Sequence, residues 1–123
     1  MPKKRGSNTT KEECMMWLFF SDGFLSIVAH RDLPDHLLVR SRNARHLKSL
    51  FPNAEHYTIR NADYPHRANV PRKTVADMLV RYVMAMNYDN YKNSVNDSRF
   101  KETCNIIWSV MYQYGEEYRR QTE

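Results

Sequence analysis

Glycine and cysteine are scarce in this sequence, and each scarcity excludes a class of protein. Only three glycines occur among 123 residues, and neither a P-loop nor a G-x-G-x-x-G motif is present, so nucleotide binding through a glycine-rich loop is excluded. The two cysteines, Cys14 and Cys104, lack the spacing of a zinc site or a disulfide framework. We expect both to be buried thiols, and we expect no metal or cofactor.

Long apolar runs are also missing. No stretch approaches the roughly 20 apolar residues that a membrane span needs. The charged N-terminus is not followed by an apolar segment of the secretory type, because the first apolar run starts only at Cys14. We therefore expect no membrane association and a cytoplasmic location.

Acidic residues are rare in the middle of the chain, where basic residues concentrate. Residues 40–81 contain nine Lys or Arg and three acids, for a net charge of +6, whereas the whole chain carries +5. Such a basic segment indicates an anionic partner, most readily a nucleic acid or a nucleotide. The shortage of acids disfavours a two-metal nuclease, and the five dispersed histidines show no metal-binding spacing.

The alternation of apolar runs and turn signals predicts an α+β fold. Strands are expected at 14–20, 24–30, 36–40, 55–60 and 66–70, the first two forming a central hairpin around an Asp-Gly turn. A short helix capped by Asn43 is expected over 44–51. Two long helices should follow, one opened by Pro71 with a Thr74–Asp77 capping box and one capped by Asp97.

These elements predict an antiparallel sheet of about five short strands, covered by the two C-terminal helices. A ferredoxin-like variant is one way to arrange them. We expect a mobile basic arm at 1–13, a single domain at 14–119 and a tail at 120–123. Both tryptophans and most methionines fall in apolar runs, which is typical of core residues.

The candidate binding site is the loop Asp63–Arg67 together with basic and polar residues that the fold could bring near it. The expected ligand-binding residues are Arg40, Arg42, Asp63, Tyr64, Arg67, Tyr88, Asn90 and Lys92. Arginine binds phosphate through a planar fork, tyrosine offers a stacking surface, and asparagine both donates and accepts hydrogen bonds. In the alternative interpretation Arg40 and Arg42 only pair with Asp63 or Asp89, and Tyr88 and Tyr91 pack against the helices.

Three functions remain open. The first is binding of a nucleic acid or nucleotide without catalysis. The second is a metal-independent ribonuclease, in which Arg67 and Lys92 stabilise the transition state while His66 or Tyr64 moves protons. The third is a small inhibitor, encoded by a mobile element, that binds a host protein complex. A homodimer is compatible with all three.

Five segments taken together suggest a family. They are MWLFFSDGFLSIV at 16–28, LLVRSR at 37–42, ADYPHRANVP at 62–71, YDNYKNSV at 88–95 and IWSVMY at 107–112. In this combination the chain resembles a family of small uncharacterised bacterial proteins with a Met-Trp-aliphatic-Phe strand, a Gly-Phe turn, and VRxR, DYxxR, YxN[FY]K and WSVMY-type motifs. The resemblance covers residues 16–115 and implies a compact single domain, with no activity attached.

Overall fold

The computed structural model describes residues 15–87 and 95–122. The chain forms five strands and three helices in these ranges, and the first two strands are joined by a tight turn at residues 21–22. In chain order the elements are β1 (Met16–Phe20), β2 (Gly23–Ala29), β3 (His36–Ser41), α1 (Ala44–Leu50), β4 (Glu55–Thr58), β5 (His66–Pro71), α2 (Arg72–Ala85) and α3 (Ser98–Thr122).

The strands form one sheet in the order β1-β2-β3-β5-β4, and the registers of β2 with β3, β3 with β5 and β5 with β4 are antiparallel. The α+β class, the five-stranded antiparallel sheet and the inserted short helix are confirmed. The order is not that of a ferredoxin-like sheet, because β1, β2 and β3 are consecutive neighbours and both long helices follow the last strand.

The first hairpin does not lie at the centre of the sheet, as its apolar run suggested. β1 is an edge strand, and three of its five residues are exposed. An apolar sequence predicts burial only when another layer covers it, and sequence alone does not show which strands are neighbours.

One side of the sheet carries the core. Alternate residues of β2, β3 and β5 are almost completely buried there, namely Leu25, Ile27, Leu37, Val39, Ala68 and Val70. Both α1 and α2 contact β3 and β5, and Leu47, Leu50, Val75 and Met78 are the buried side chains of the two helices. The opposite side of the sheet carries polar and aromatic residues together with the paired Val28 and Leu38.

Local capping explains where the helices begin. The Asn43 side chain accepts a hydrogen bond from the Arg45 amide at 2.9 Å, and this confirms the predicted cap of α1. Pro71 is the residue before α2, but no side chain caps that helix. The prediction of a capping box between Thr74 and Asp77 was wrong. Asp77 instead forms an ion pair with Lys73, one turn earlier, at 3.0 Å.

The chain divides into two compact units. The first unit comprises the sheet, α1 and α2 as far as Met86, except for residues 20–22. The second unit comprises residues 20–22 and the chain from Asn87 onward. In the second unit Asp97 Oδ1 accepts hydrogen bonds from the amides of Arg99 and Phe100 at 3.0 and 3.2 Å, which confirms the predicted cap of α3. The helix continues through residues 120–122, and the predicted domain boundaries stay predictions.

Several residues expected in the core are exposed. Trp17 is 61% exposed and Trp108 is 52% exposed, so the interpretation of both tryptophans as core residues was wrong. Of the described methionines that were expected to fill the core, only Met78 is buried; Met15, Met16, Met84, Met86 and Met111 are exposed. Helical spacing shows which residues share a side of a helix, but it does not show how much of that side is covered.

Candidate functional site

A row of four residues crosses the side of the sheet opposite the core. Ser26 on β2 is paired with Arg40 on β3, Arg40 with Arg67 on β5, and Arg67 with Tyr57 on β4. Directly paired residues project to the same side of a sheet, so these four side chains lie side by side. We call this side of the sheet the arginine face.

Tyr64, in the loop that leads into β5, brings two of the arginines together. Its ring is buried, with 6% exposed. The guanidinium carbon of Arg40 lies 4.7 Å from the ring centre, and that of Arg42 lies 4.3 Å from it. Both distances fall within the range of cation–π attraction. Arg40 and Arg42 are two apart on one strand, so they start on the same side of the sheet.

Arg40 is half-buried. Its Nη2 donates a hydrogen bond of 2.8 Å to the hydroxyl of Ser26, a residue with no exposed surface. Its Nε is buried and has no hydrogen-bond partner in the described ranges 15–87 and 95–122. Placing a guanidinium in this position costs desolvation energy, which the Tyr64 ring offsets only in part.

Arg42 and Arg67 are each held by the loop that contains Tyr64. Arg42 donates to the Asp63 carboxylate at 3.0 Å through Nη2 and to the Asp63 carbonyl at 3.3 Å through Nε. Arg67 Nε donates to the Tyr64 carbonyl at 3.0 Å. The pairing of Arg42 with Asp63 is therefore a structural contact, as the alternative interpretation of the sequence held.

Within residues 15–87 and 95–122, hydrogen bonds occupy a minority of the donors of the three guanidinium groups, and the buried Nε of Arg40 is the one donor known to be closed to solvent. A guanidinium has five N–H donors, and the bonds described above use one from Arg40, two from Arg42 and one from Arg67. Asp63 is the one carboxylate that pairs with these arginines among the residues that the structure describes. Three held cations beside one anion leave the cluster with excess positive charge, which favours an anionic ligand.

Aromatic residues lie next to this cluster. The Phe24 ring stacks on the Phe19 ring, with the ring centres 4.6 Å apart, and forms a T-shaped pair with Trp17, with the ring centres 5.8 Å apart. It also lies 6.5 Å from the Tyr64 ring. Phe24 is two residues before Ser26 on β2 and so belongs to the arginine face. Trp17, Phe19 and Phe24 form what we call the aromatic patch, in which Trp17 is the most exposed member.

A hydrogen-bond network closes the other end of the face. The Tyr57 hydroxyl donates to Asn69 Oδ1 at 3.1 Å, and the same oxygen lies 3.0 Å from His30 Nε2. His30 Nδ1 accepts from the amides of Asp32 and Leu33 at 3.0 and 3.1 Å, so the proton of the neutral ring belongs on Nε2. This network fixes the Tyr57 ring at the far edge of the row.

The structure brings together five of the predicted site residues: Arg40, Arg42, Asp63, Tyr64 and Arg67. His66 is not among them, because neighbouring residues of a strand project to opposite sides. It is paired with Ser41, a buried residue, on the side of the sheet that carries the core. The predictions for Tyr88, Asn90 and Lys92 lie outside the described residues.

No group of three or more His, Cys, Asp or Glu side chains is placed to hold a metal ion in residues 15–87 and 95–122. No helix in those ranges combines the length and the apolar character that crossing a bilayer requires.

No family model, curated protein or solved structure matches this chain. The resemblance suggested by the sequence motifs therefore stays a prediction, and the function has to be argued from the site itself.

Sequence reasoning missed the aromatic patch and the row that crosses the sheet. The alternation of residue types along β2 and β3 contained the signal that would have shown this side of the sheet. Phe24, Ser26 and Arg40 share one side, and the purely apolar set Leu25, Ile27 and Val39 shares the other. The apolar β1 run hid this pattern, because it made the whole hairpin resemble a buried element.

Proposed function

We propose that this chain binds single-stranded nucleic acid on the arginine face. The observation that carries the proposal is the position of the exposed Trp17 beside a cluster of held arginines on one side of an antiparallel sheet. Sheets that bind single strands combine these two features: aromatic rings stack on bases and cations contact the backbone.

The aromatic patch and the central arginines suit different parts of the ligand. The aromatic patch offers Trp17 and Phe19, which are 61% and 36% exposed, as stacking surfaces for bases. Arg40, Arg42 and Arg67 offer fixed forks for phosphate oxygens. Because the guanidinium groups are already held by Ser26, Asp63 and Tyr64, less side-chain entropy is lost when a phosphate binds.

The size of the face fits a short segment of a strand. Five strands span four gaps of about 4.8 Å, or roughly 19 Å from β1 to β4. Open sheets that bind RNA stack two or three bases on their aromatic residues. A base-paired duplex buries its bases against one another, so stacking on Trp17 requires a single strand.

The test is fluorescence anisotropy with labelled single-stranded oligonucleotides, of both RNA and DNA, and with a duplex of the same sequence. We expect single strands to bind and the duplex to bind weakly. The logarithm of the affinity should fall linearly with the logarithm of salt concentration, with a slope of about −2, since three arginines replace about three counterions on a single strand.

Two variants that each remove one arginine test whether the arginine face is the binding site. Arg67→Ala should weaken binding about tenfold, because it removes a held phosphate contact of about 1.4 kcal/mol. Arg45→Ala removes the same charge from the exposed surface of α1 and should change affinity less than twofold. Equal losses in both variants would indicate a diffuse electrostatic surface and would contradict the proposed site.

A protein partner is the second candidate. Tryptophan, tyrosine and arginine are also the residues that dominate protein–protein hot spots, and Trp17, Tyr57 and Arg67 lie on the same face. An inhibitor of a host protein complex would use this surface. Recovery of one stoichiometric protein after nuclease treatment, abolished by Trp17→Ala and by Arg67→Ala, would favour this function over nucleic-acid binding.

A further inference from the structure

The middle of α3 is apolar on more than one side. Residues 103–115 contain no charged side chain, although the helix has charged residues before and after them. A surface helix normally has one apolar stripe, whereas a helix that is apolar on all sides is buried. In α3 only Cys104 is buried, and seven large apolar residues are more than half exposed: Ile106, Trp108, Val110, Met111, Tyr112, Tyr114 and Tyr118.

One row of α3 residues is symmetric in its chemistry about the middle of the helix. Six residues follow one another at intervals of four, three, four, three and four, namely Arg99, Thr103, Ile106, Val110, Gln113 and Glu117. Residues at these intervals lie in one row and can all face one partner helix. The central two, Ile106 and Val110, are apolar, and the other four are polar or charged. A shallow, open depression on the helix surface is lined by four of these residues, Ile106, Val110, Gln113 and Glu117. We call these six residues the seam.

Charge at the two ends of the seam determines which helix fits it. Arg99 lies at one end and Glu117 at the other, and neither has an ion-pair partner among the residues that the structure describes. A parallel copy would place Arg99 against Arg99 and Glu117 against Glu117. An antiparallel copy places each Arg99 against a Glu117.

The antiparallel arrangement matches the whole seam. With the two-fold axis level with Trp108, Arg99 lies opposite Glu117 of the copy, and Thr103 lies opposite Gln113. Ile106 then lies opposite Val110. Charged, polar and apolar residues are each placed against a suitable partner, and every pairing occurs twice.

We propose that two copies of this chain associate through antiparallel pairing of α3 along the seam. The arrangement brings Glu102 near Glu116 of the other copy, and the Arg119 side chain, which pairs with Glu116, lowers that repulsion. This inference does not rest on nucleic-acid binding, because it uses no residue of the arginine face.

The contact is small, so the dimer should be weak. From Arg99 to Glu117 the seam is about 27 Å long, at a rise of about 1.5 Å per residue. Two helices of that length bury less than the roughly 1,200 Å² typical of a stable interface. We therefore expect a dissociation constant in the micromolar range.

Sedimentation equilibrium of the full chain over a range of concentrations tests the proposal. Wild type should show a reversible monomer–dimer equilibrium. Glu117→Arg should weaken the dimer about tenfold, because it places like charges opposite each other at two positions, and Arg99→Glu should do the same. The double variant Arg99→Glu/Glu117→Arg should return the dissociation constant to within about twofold of wild type.

Lys101→Glu is the matched control, because Lys101 lies on the other side of α3 from Arg99 at about 100° per residue. It should leave the dimer unchanged. Circular dichroism should show the same helix content in every variant. A monomer at all concentrations, or a dimer that Glu117→Arg leaves unchanged, would overturn the proposal. Failure of the double variant to restore association would also overturn the antiparallel pairing.

Discussion

The attraction between Tyr64 and its two arginines should be measurable as a coupling free energy. In a double-mutant cycle, Tyr64→Leu is combined with Arg40→Met or with Arg42→Met, and the coupling is the part of the stability loss that is not additive. The cycle cancels contacts that each residue makes elsewhere, such as the bond from Arg40 to Ser26.

The structure predicts which coupling is larger. Arg42 is 0.4 Å nearer to the ring centre than Arg40, since the two distances are 4.3 and 4.7 Å. An inverse-distance attraction changes by only about a tenth over that difference. Burial matters more: the Arg42 side chain is 55% exposed, whereas Arg40 is half-buried and its Nε is out of contact with water.

Cation–π attraction is about 0.5–1 kcal/mol at exposed sites and about 2 kcal/mol when the cation is desolvated. We therefore expect a coupling of about 1–2 kcal/mol for Arg40 with Tyr64 and about 0.5–1 kcal/mol for Arg42 with Tyr64. Urea unfolding at fixed ionic strength measures both, provided that the dependence of the unfolding free energy on urea stays constant among the variants.

Arg45→Met is the control, because Arg45 is exposed on α1 and should change stability by less than about 0.5 kcal/mol. A coupling for Arg40 below about 0.3 kcal/mol would refute the attraction to the ring. A larger coupling for Arg42 than for Arg40 would refute the argument that desolvation outweighs distance.

Three further variants test local parts of the fold by urea unfolding. Gly23→Ala should destabilise the protein by about 2–4 kcal/mol. Gly23 has a φ of +150°, and an added Cβ would lie 2.3 Å from the His46 ring. A loss of stability below about 1 kcal/mol would contradict this expectation. Asn43→Ala should cost about 1 kcal/mol through the lost cap of α1, and Asn43→Asp, which still accepts the hydrogen bond, should restore most of it. Lys73→Met should change stability by less than about 0.5 kcal/mol, because its pair with Asp77 is exposed, and a loss above 1 kcal/mol would contradict that reasoning.

The fold followed from features that depend on local sequence. The Asp-Gly turn, the Asn43 and Asp97 caps and the change from strand to helix patterns each depend on neighbouring residues. They placed every described strand, α1 and the starts of α2 and α3 to within about two residues. The order of the strands depends on pairing between distant segments, so the edge position of β1 did not follow from the pattern.

The candidate site was predicted in part. Arg40, Arg42 and the Asp63–Arg67 loop came from charge and composition, and the register of β3 with β5 does place Arg40 beside Arg67. Ser26 and the aromatic patch were missed, because their role depends on which side of the sheet each strand presents. His66 was grouped with Arg67 by nearness in sequence, although adjacent strand residues project to opposite sides.

The fluorescence of Trp17 tests the central claim most directly. Trp17 and Trp108 are the two tryptophans of the chain, so Trp108→Phe leaves Trp17 as the only reporter and keeps an aromatic ring beside Tyr112. Titration with a single-stranded oligonucleotide should quench Trp17 emission in a saturable way, since a stacked base contacts the indole directly. Added salt should reverse the quenching. Unchanged Trp17 emission from the folded Trp108→Phe variant would contradict nucleic-acid binding on the arginine face. The same conclusion would follow if the oligonucleotide quenched only Trp108, as measured in a Trp17→Phe variant.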